Sequence, residues 1–196
     1  MNILNIIFKK KWKFYKNKKI DILLLDNNNT NFKIKNHKVK ILNDNEINFF
    51  YIAISLIKFI FSYKAKYTFR DIYFITIVKS YDPKIGIGNE IDYKTYRFIK
   101  FFPKKQSIIY QFTYYAPEYK DIVKKRIINY FGTRTKKIKC NYFLVWNDFS
   151  KKYFDYFKTK FIVAGSVKNN EILTPKSVTK YDIMLISQFR RPVKSY

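Results

Sequence analysis

The sequence predicts an α/β protein with a Rossmann-like, open and mostly parallel sheet and helices on both faces. Three observations predict it. Short β-branched or apolar runs recur at residues 20–26, 84–88, 107–111, 140–146 and 161–165. Helix-length segments separate them, and that alternation builds parallel sheets through crossovers. Each run stops on small or polar residues, at Asp26, Asn89, Gln111, Asn147 and Gly165–Ser166, as strands do beside a ligand crevice.

Taken in order, residues 1–19 form a basic, aromatic leader. A brief apolar run, Ile3 to Phe8, precedes Lys9, Lys10, Lys11, Lys13, Lys16, Lys18 and Lys19, interleaved with Trp12, Phe14 and Tyr15. A secretory signal carries its charges before its apolar core, so the reversed order here argues against export and for either an anionic membrane surface or a solvated tail. Ile20–Asp26 is continuous in apolar character, which suits a strand buried on both faces. Phe32–Lys35 and Lys38–Leu42 alternate more and predict a second strand nearer the sheet edge. His37, between them, reads as a loop residue.

Asn43 followed by Glu46 has the spacing of a capping box, and it predicts a buried helix over residues 47–61. Lys58 interrupts that run, which is too short for a membrane span. Residues 68–80 offer a second helical face and stop at Asp82–Pro83. Helices follow at 93–102 and from Pro117 to Phe131, where Gly132 is the stop signal, and a helical turn is expected over 150–157. Residues 20–166 thus make one domain. Residues 167–180, with Pro175 and no apolar period, read as a linker, and 181–196, with the apolar run Ile183–Ile186, as the first strand of a truncated second domain.

Of 196 residues, 40 are Lys or Arg and 14 are Asp or Glu, a formal charge of +26. That balance attracts phosphate-bearing or anionic-lipid partners, although the joint abundance of Lys, Asn, Ile, Phe and Tyr also fits AT-rich codon usage. Cys140 is the single cysteine and His37 the single histidine, which leaves no disulfide, thiolate zinc site or spare histidine for a triad. Acid–base chemistry then falls to carboxylates. Asp26, Glu90 and Asp92 are the candidates, with Gln111, Asn147 and Ser166 on the same rim, although helix N-caps favour the same residue types. Gly86-Ile-Gly88 lacks the third glycine of a dinucleotide loop, and no Walker loop is present. No cofactor and no metal site are expected.

Several segments in this order carry a resemblance: Lys18-Lys-Ile-Asp-Ile-Leu-Leu-Leu-Asp26, Glu46-Ile-Asn48, Pro83-Lys-Ile-Gly-Ile-Gly-Asn-Glu-Ile-Asp92 with Tyr96, Ile109-Tyr-Gln111, Cys140-Asn-Tyr-Phe-Leu-Val-Trp146, Gly165-Ser-Val-Lys-Asn-Asn170 and Ile186-Ser-Gln-Phe-Arg190. Together they resemble a bacterial family of surface carbohydrate biosynthesis proteins, relatives of capsule-polysaccharide enzymes that look like two-domain glycosyltransferases of the GT-B kind. The last two segments are the most specific. The chain departs from the family pattern at Gln111-Phe112-Thr113, which stands where the family has Gln-Asn-Gly, and in the order of Asn89, Glu90 and Asp92.

The resemblance implies the N-terminal, acceptor-side half of such an enzyme, with the donor-binding domain missing. In that reading Asp26, Glu90 or Asp92 is the base. Gln111, Asn147, Ser166, Lys168, Asn169, Ser187, Gln188 and Arg190 orient hydroxyls or phosphate. The implied partners are a glycan or lipid-linked acceptor, an anionic membrane surface and, only where a second domain is supplied, a nucleotide-sugar donor. The expected location is cytoplasmic, peripheral on the inner face of the plasma membrane. A noncatalytic truncated remnant is one rival. A basic nucleic-acid-binding module is another, but the aromatics lie inside apolar runs and no recognition signature is present, so no specific nucleic acid is expected.

Overall fold

The computed structural model describes residues 11–26, 36–43, 46–61, 67–112, 117–132 and 137–165. In chain order its elements are β1 (Lys11–Lys13), β2 (Ile22–Leu24), β3 (Val39–Ile41), β4 (Glu46–Asn48), α1 (Phe49–Phe61), α2 (Phe69–Tyr81), β5 (Ile85–Asn89) and α3 (Tyr93–Phe101). They continue with β6 (Gln106–Tyr110), α4 (Pro117–Phe131), β7 (Ile138–Val145), a 3-10 helix (Phe149–Phe154) and β8 (Phe157–Val163).

Six strands form one parallel sheet in the order β3-β2-β5-β6-β7-β8. The five runs singled out in the sequence are its neighbouring strands, and residues 39–41 supply its edge. Counted within this sheet the order is 2-1-3-4-5-6, so the winding reverses between β2 and β5. In doubly wound sheets that reversal opens the ligand crevice.

From β3 onward every connection advances the same way across the sheet, so right-handed crossovers place α1 to α4 on a common face. The packing agrees. Leu23 of β2 and Leu25 just beyond it meet Tyr51 of α1, Phe74, Ile77 and Val78 of α2, and Phe98 of α3. Ile109 of β6 and Phe143 and Val145 of β7 meet Tyr96, Ile99, Ile127 and Phe154. Leu23, Phe98, Ile109 and Phe143 are wholly buried, each worth roughly 1.5–3 kcal/mol of transfer free energy. The opposite face carries Ile22, Leu24, Ile87 and Tyr110, which are buried as well.

Gly86 and Gly88 let α3 press onto the sheet. A Cβ on Gly86 would lie 2.5 Å from the Phe98 ring, and one on Gly88 would lie 2.1 Å from Thr95 Oγ1. The two glycines are therefore packing residues within a strand. At the helix ends, Thr68 and Asp71 form a capping box on α2, and Asp82 closes α2 in the left-handed conformation.

Five features differ from the sequence expectation. The described helices α1 to α4 share one face of the sheet rather than covering both, because only the β2–β3 connection runs the opposite way and no helix is described in it. Glu46 does not cap a helix: residues 46–48 form β4, paired in parallel with β1, and the Glu46 carboxylate takes Lys13 and Lys40 as ion-pair partners. The helix begins only at Phe49, and it is not buried. Tyr51 and Ser55 are its buried residues, whereas Leu56 to Phe61 are all exposed, because α1 packs along one side on α2 and β1. Residues 11–19 are tied to the body rather than loose: Asn17 N–H donates to Tyr51 Oη at 2.9 Å, and Asn48 Nδ2 donates to the Tyr15 carbonyl at 2.8 Å. Finally, β8 starts at Phe157, four residues earlier than read, and the turn before it is 3-10. Phe32–Lys35, the linker 167–180 and the segment 181–196 lie outside the described residues.

Candidate functional site

The carboxyl ends of β2, β5 and β6 bring three polar side chains together. Alternation along the strands puts Asp26, Asn89 and Tyr110 on the face opposite the helices. There Asn89 Nδ2 donates to Asp26 Oδ2 at 3.3 Å, and the Tyr110 hydroxyl donates to the same oxygen. All three are buried, Asp26 at 4% exposure. Asp26 Oδ1, also buried, has no hydrogen-bond partner among the described residues. Burial pushes the Asp26 carboxyl above the usual range; the Tyr110 hydrogen bond and Lys94 oppose the shift, and the charge of Asp92 adds to it. A buried carboxyl with a raised pKa is a candidate for proton exchange, and it sits at the reversal in strand order.

On the helix side of the same rim, Glu90 and Gln111 knit loops to strands. Glu90 Oε2 accepts from Phe112 N–H at 2.7 Å, and the Tyr96 hydroxyl donates to the Glu90 carbonyl. Gln111 Oε1 accepts from Trp146 N–H at 3.1 Å, while the Trp146 indole donates to the Gln111 carbonyl at 2.9 Å. Both side chains are almost fully buried and hold the rim together.

Asp92 caps α3, accepting from Lys94 N–H at 2.8 Å. It also opens onto a cleft of about 470 Å³ between the end of β3, β4, α2 and the start of α3. That volume falls in the range of small-molecule sites. Three cations line it. Lys94 is buried, with Nζ 3.5 Å from Asp92 Oδ2 and donating to the Leu42 carbonyl at 3.2 Å; Arg97 pairs with Asp71 at 2.8 Å; and exposed Arg70 has no ion-pair partner among the described residues. These cations suit an anionic ligand group.

The strand ends thus carry Asp26 on one face and Glu90 and Gln111 on the other, with Asp92 at the cleft among the helices, so these four side chains do not share one surface. Asn147 stands apart: it is exposed, and its Oδ1 accepts from the backbone and hydroxyl of Ser150 at 2.9 and 3.0 Å, capping the 3-10 helix. Ser166, Lys168, Asn169, Ser187, Gln188 and Arg190 lie outside the described residues. Sequence reading passed over Tyr110, Arg70, Lys94 and Arg97. Tyr110 ends an apolar run and reads as core. The three cations are spread over two helices, and only the packing of α2 beside α3 gathers them.

A family model matches the chain. Its description is "putative O-antigen biosynthesis protein", and the match covers residues 123–196, from within α4 through β7 and β8. Both of the most specific resemblance segments, at 165–170 and 186–190, lie within that span. The match supports, at a coarse level, an association with surface carbohydrate biosynthesis. No curated protein matches the chain, and no solved structure matches it. Among the described residues, no helix is long and apolar enough to cross a membrane.

Proposed function

We propose that this chain is a glycosyltransferase-like, acceptor-side domain of the GT-B kind, acting in the assembly of bacterial surface polysaccharide. The observation that carries this reading is the Asp26–Asn89–Tyr110 cluster at the reversal in strand order, beside a cationic cleft. Asp26, with one oxygen held by two donors and the other without a partner among the described residues, takes the proton of an acceptor hydroxyl as it attacks. Glu90 and Gln111 are positioning residues, since both are occupied with backbone N–H groups. Lys94, Arg97 and Arg70 hold the phosphate of a pyrophosphate-linked or lipid-linked glycan acceptor, while Asp92 caps α3 and orients Lys94. A nucleotide-sugar donor is bound when a second Rossmann-like domain closes over the rim. The resulting place of work is the cytoplasmic face of the membrane. The engagement of Glu90 and the capping role of Asn147 favour, as a second reading, a domain that binds the glycan without catalysing its transfer.

Titration calorimetry with a pyrophosphate-linked sugar tests the proposal. Residues 1–196 are expected to bind it, with Arg70→Ala lowering affinity roughly tenfold, the worth of one charged hydrogen bond. Nucleotide sugar is expected to bind weakly. In a chain that carries a second domain, Asp26→Asn is expected to abolish transfer while leaving acceptor binding intact; transfer that survives it leaves the noncatalytic reading of the rim. Acceptor binding indifferent to Arg70→Ala, or tight nucleotide-sugar binding by residues 1–196, overturns the assignment of the cleft.

A further inference from the structure

α1 presents an apolar stripe to solvent. Phe49, Ala53, Leu56, Ile57 and Ile60 recur at helical spacing, and all are exposed, Ile57 at 56% and Ile60 at 63%. Phe61, at the helix end, is 83% exposed. A soluble surface scatters such residues singly; a contiguous patch marks a docking face. Phe14 continues the patch, its ring 5.8 Å from that of Phe49 and 71% exposed, and Tyr15 and Trp12 are exposed beside it.

Charge identifies what the patch meets. Lys11, Lys16, Lys18 and Lys19 are exposed on the segment that packs against α1, with Lys16 Nζ 5.8 Å from the centre of the Phe50 ring, and Lys58 is exposed on α1 itself. Apolar residues bordered by lysines and by Trp, Tyr and Phe match the composition of a helix lying in a lipid interface. The chain carries a formal charge of +26, so a second copy is repelled from this face while an anionic bilayer is attracted. A helix of 13 residues is too short to span the bilayer and can only lie in its surface.

We propose that α1 and residues 11–19 form a membrane-docking surface, with the stripe sunk among the acyl chains of an anionic leaflet and the lysines at its phosphates. The surface also borders the cleft. Phe59 of α1 meets Phe69 edge-on at 6.0 Å, one residue from Arg70, so a docked protein presents the cationic cleft next to the lipid headgroups. This last step rests on the acceptor assignment above; the docking itself does not, and an assay with lipid alone separates the two.

Cosedimentation with vesicles of phosphatidylcholine and phosphatidylglycerol, against phosphatidylcholine alone, reads the docking. The full chain is expected to bind only the mixed vesicles, with affinity falling as salt rises. Ile57→Glu with Ile60→Glu removes apolar contact at solvent-facing positions, where the fold, checked by circular dichroism, does not depend on it, and should weaken binding at least roughly tenfold. The milder pair Ile57→Ala and Ile60→Ala should weaken it in the same direction. Lys16→Gln with Lys18→Gln and Lys19→Gln should weaken it comparably. The proposal is overturned by unchanged binding of either apolar variant, by equal binding to neutral vesicles, or by a dimer in ultracentrifugation that the glutamate variant dissociates.

Discussion

Asn89 donates to Asp26 at 3.3 Å, joining residues 63 positions apart at the ends of the two strands between which the winding of the sheet reverses. With the Tyr110 hydroxyl, this bond leaves a single carboxylate oxygen of Asp26 without a partner among the described residues.

Asp26 makes stability depend on pH in a definite direction. Its folded pKa lies above the unfolded value of 3.8, chiefly through burial. The stability it contributes is therefore complete below that value and is lost as pH rises through the folded pKa. Asp26→Asn carries no such dependence, so urea titrations should show the variant gaining on the parent between acid and neutral pH. Tyr110→Phe, which removes a donor to the carboxylate, should move the transition further upward. A variant that gains on the parent only as pH falls would contradict the buried-carboxyl account.

Glu46 acts in the opposite sense. Burial raises its pKa, but Lys13 and Lys40 outweigh that and hold it below 4.5. Its contribution is present above the unfolded pKa and disappears as pH falls through the lower, folded value. Glu46→Gln should cost about 1 kcal/mol at neutral pH, with the difference vanishing in acid, and should loosen the pairing of β1 with β4 in hydrogen exchange.

Gly86→Ala should destabilise by about 1–3 kcal/mol, the usual cost of overpacking, because its methyl meets three atoms of the buried Phe98 ring at 2.5–2.7 Å. Adding Phe98→Leu to Gly86→Ala should recover part of the loss, and a thermal-unfolding double-mutant cycle measures the coupling. Additive losses would show that the ring and the glycine do not share that space.

Cys140 is buried, and burial pushes its thiol up to about 11. In native protein its reaction with a disulfide reagent at neutral pH should be orders of magnitude slower than in denaturant, because the thiolate is the reacting form. Equal rates would mean that β7 opens freely.

The sequence by itself determined the class of fold and the strands of the parallel sheet. β-branched runs at 22–24, 85–89, 106–110 and 138–145 could not cover themselves except in a sheet, and the helix-length segments between them permitted only parallel crossovers. The polar stops at Asp26, Glu90 and Gln111 were legible for the same reason, since a strand ends where its apolar residues end. What lay beyond the sequence depended on partners distant along the chain. Glu46 has the spacing of a cap, but Lys13 and Lys40 reach it only in three dimensions, and two ion pairs and a strand pairing outcompeted the helix turn. An apolar run such as 49–61 does not disclose how many of its sides find cover; α2 and β1 cover one, and the fold leaves the rest of α1 exposed. Gly86 and Gly88 read as a fragment of a loop until α3 packs across them. Tyr110, Asn89 and Asp26 become a cluster only because the order of the strands, which no local pattern encodes, sets β5 between β2 and β6.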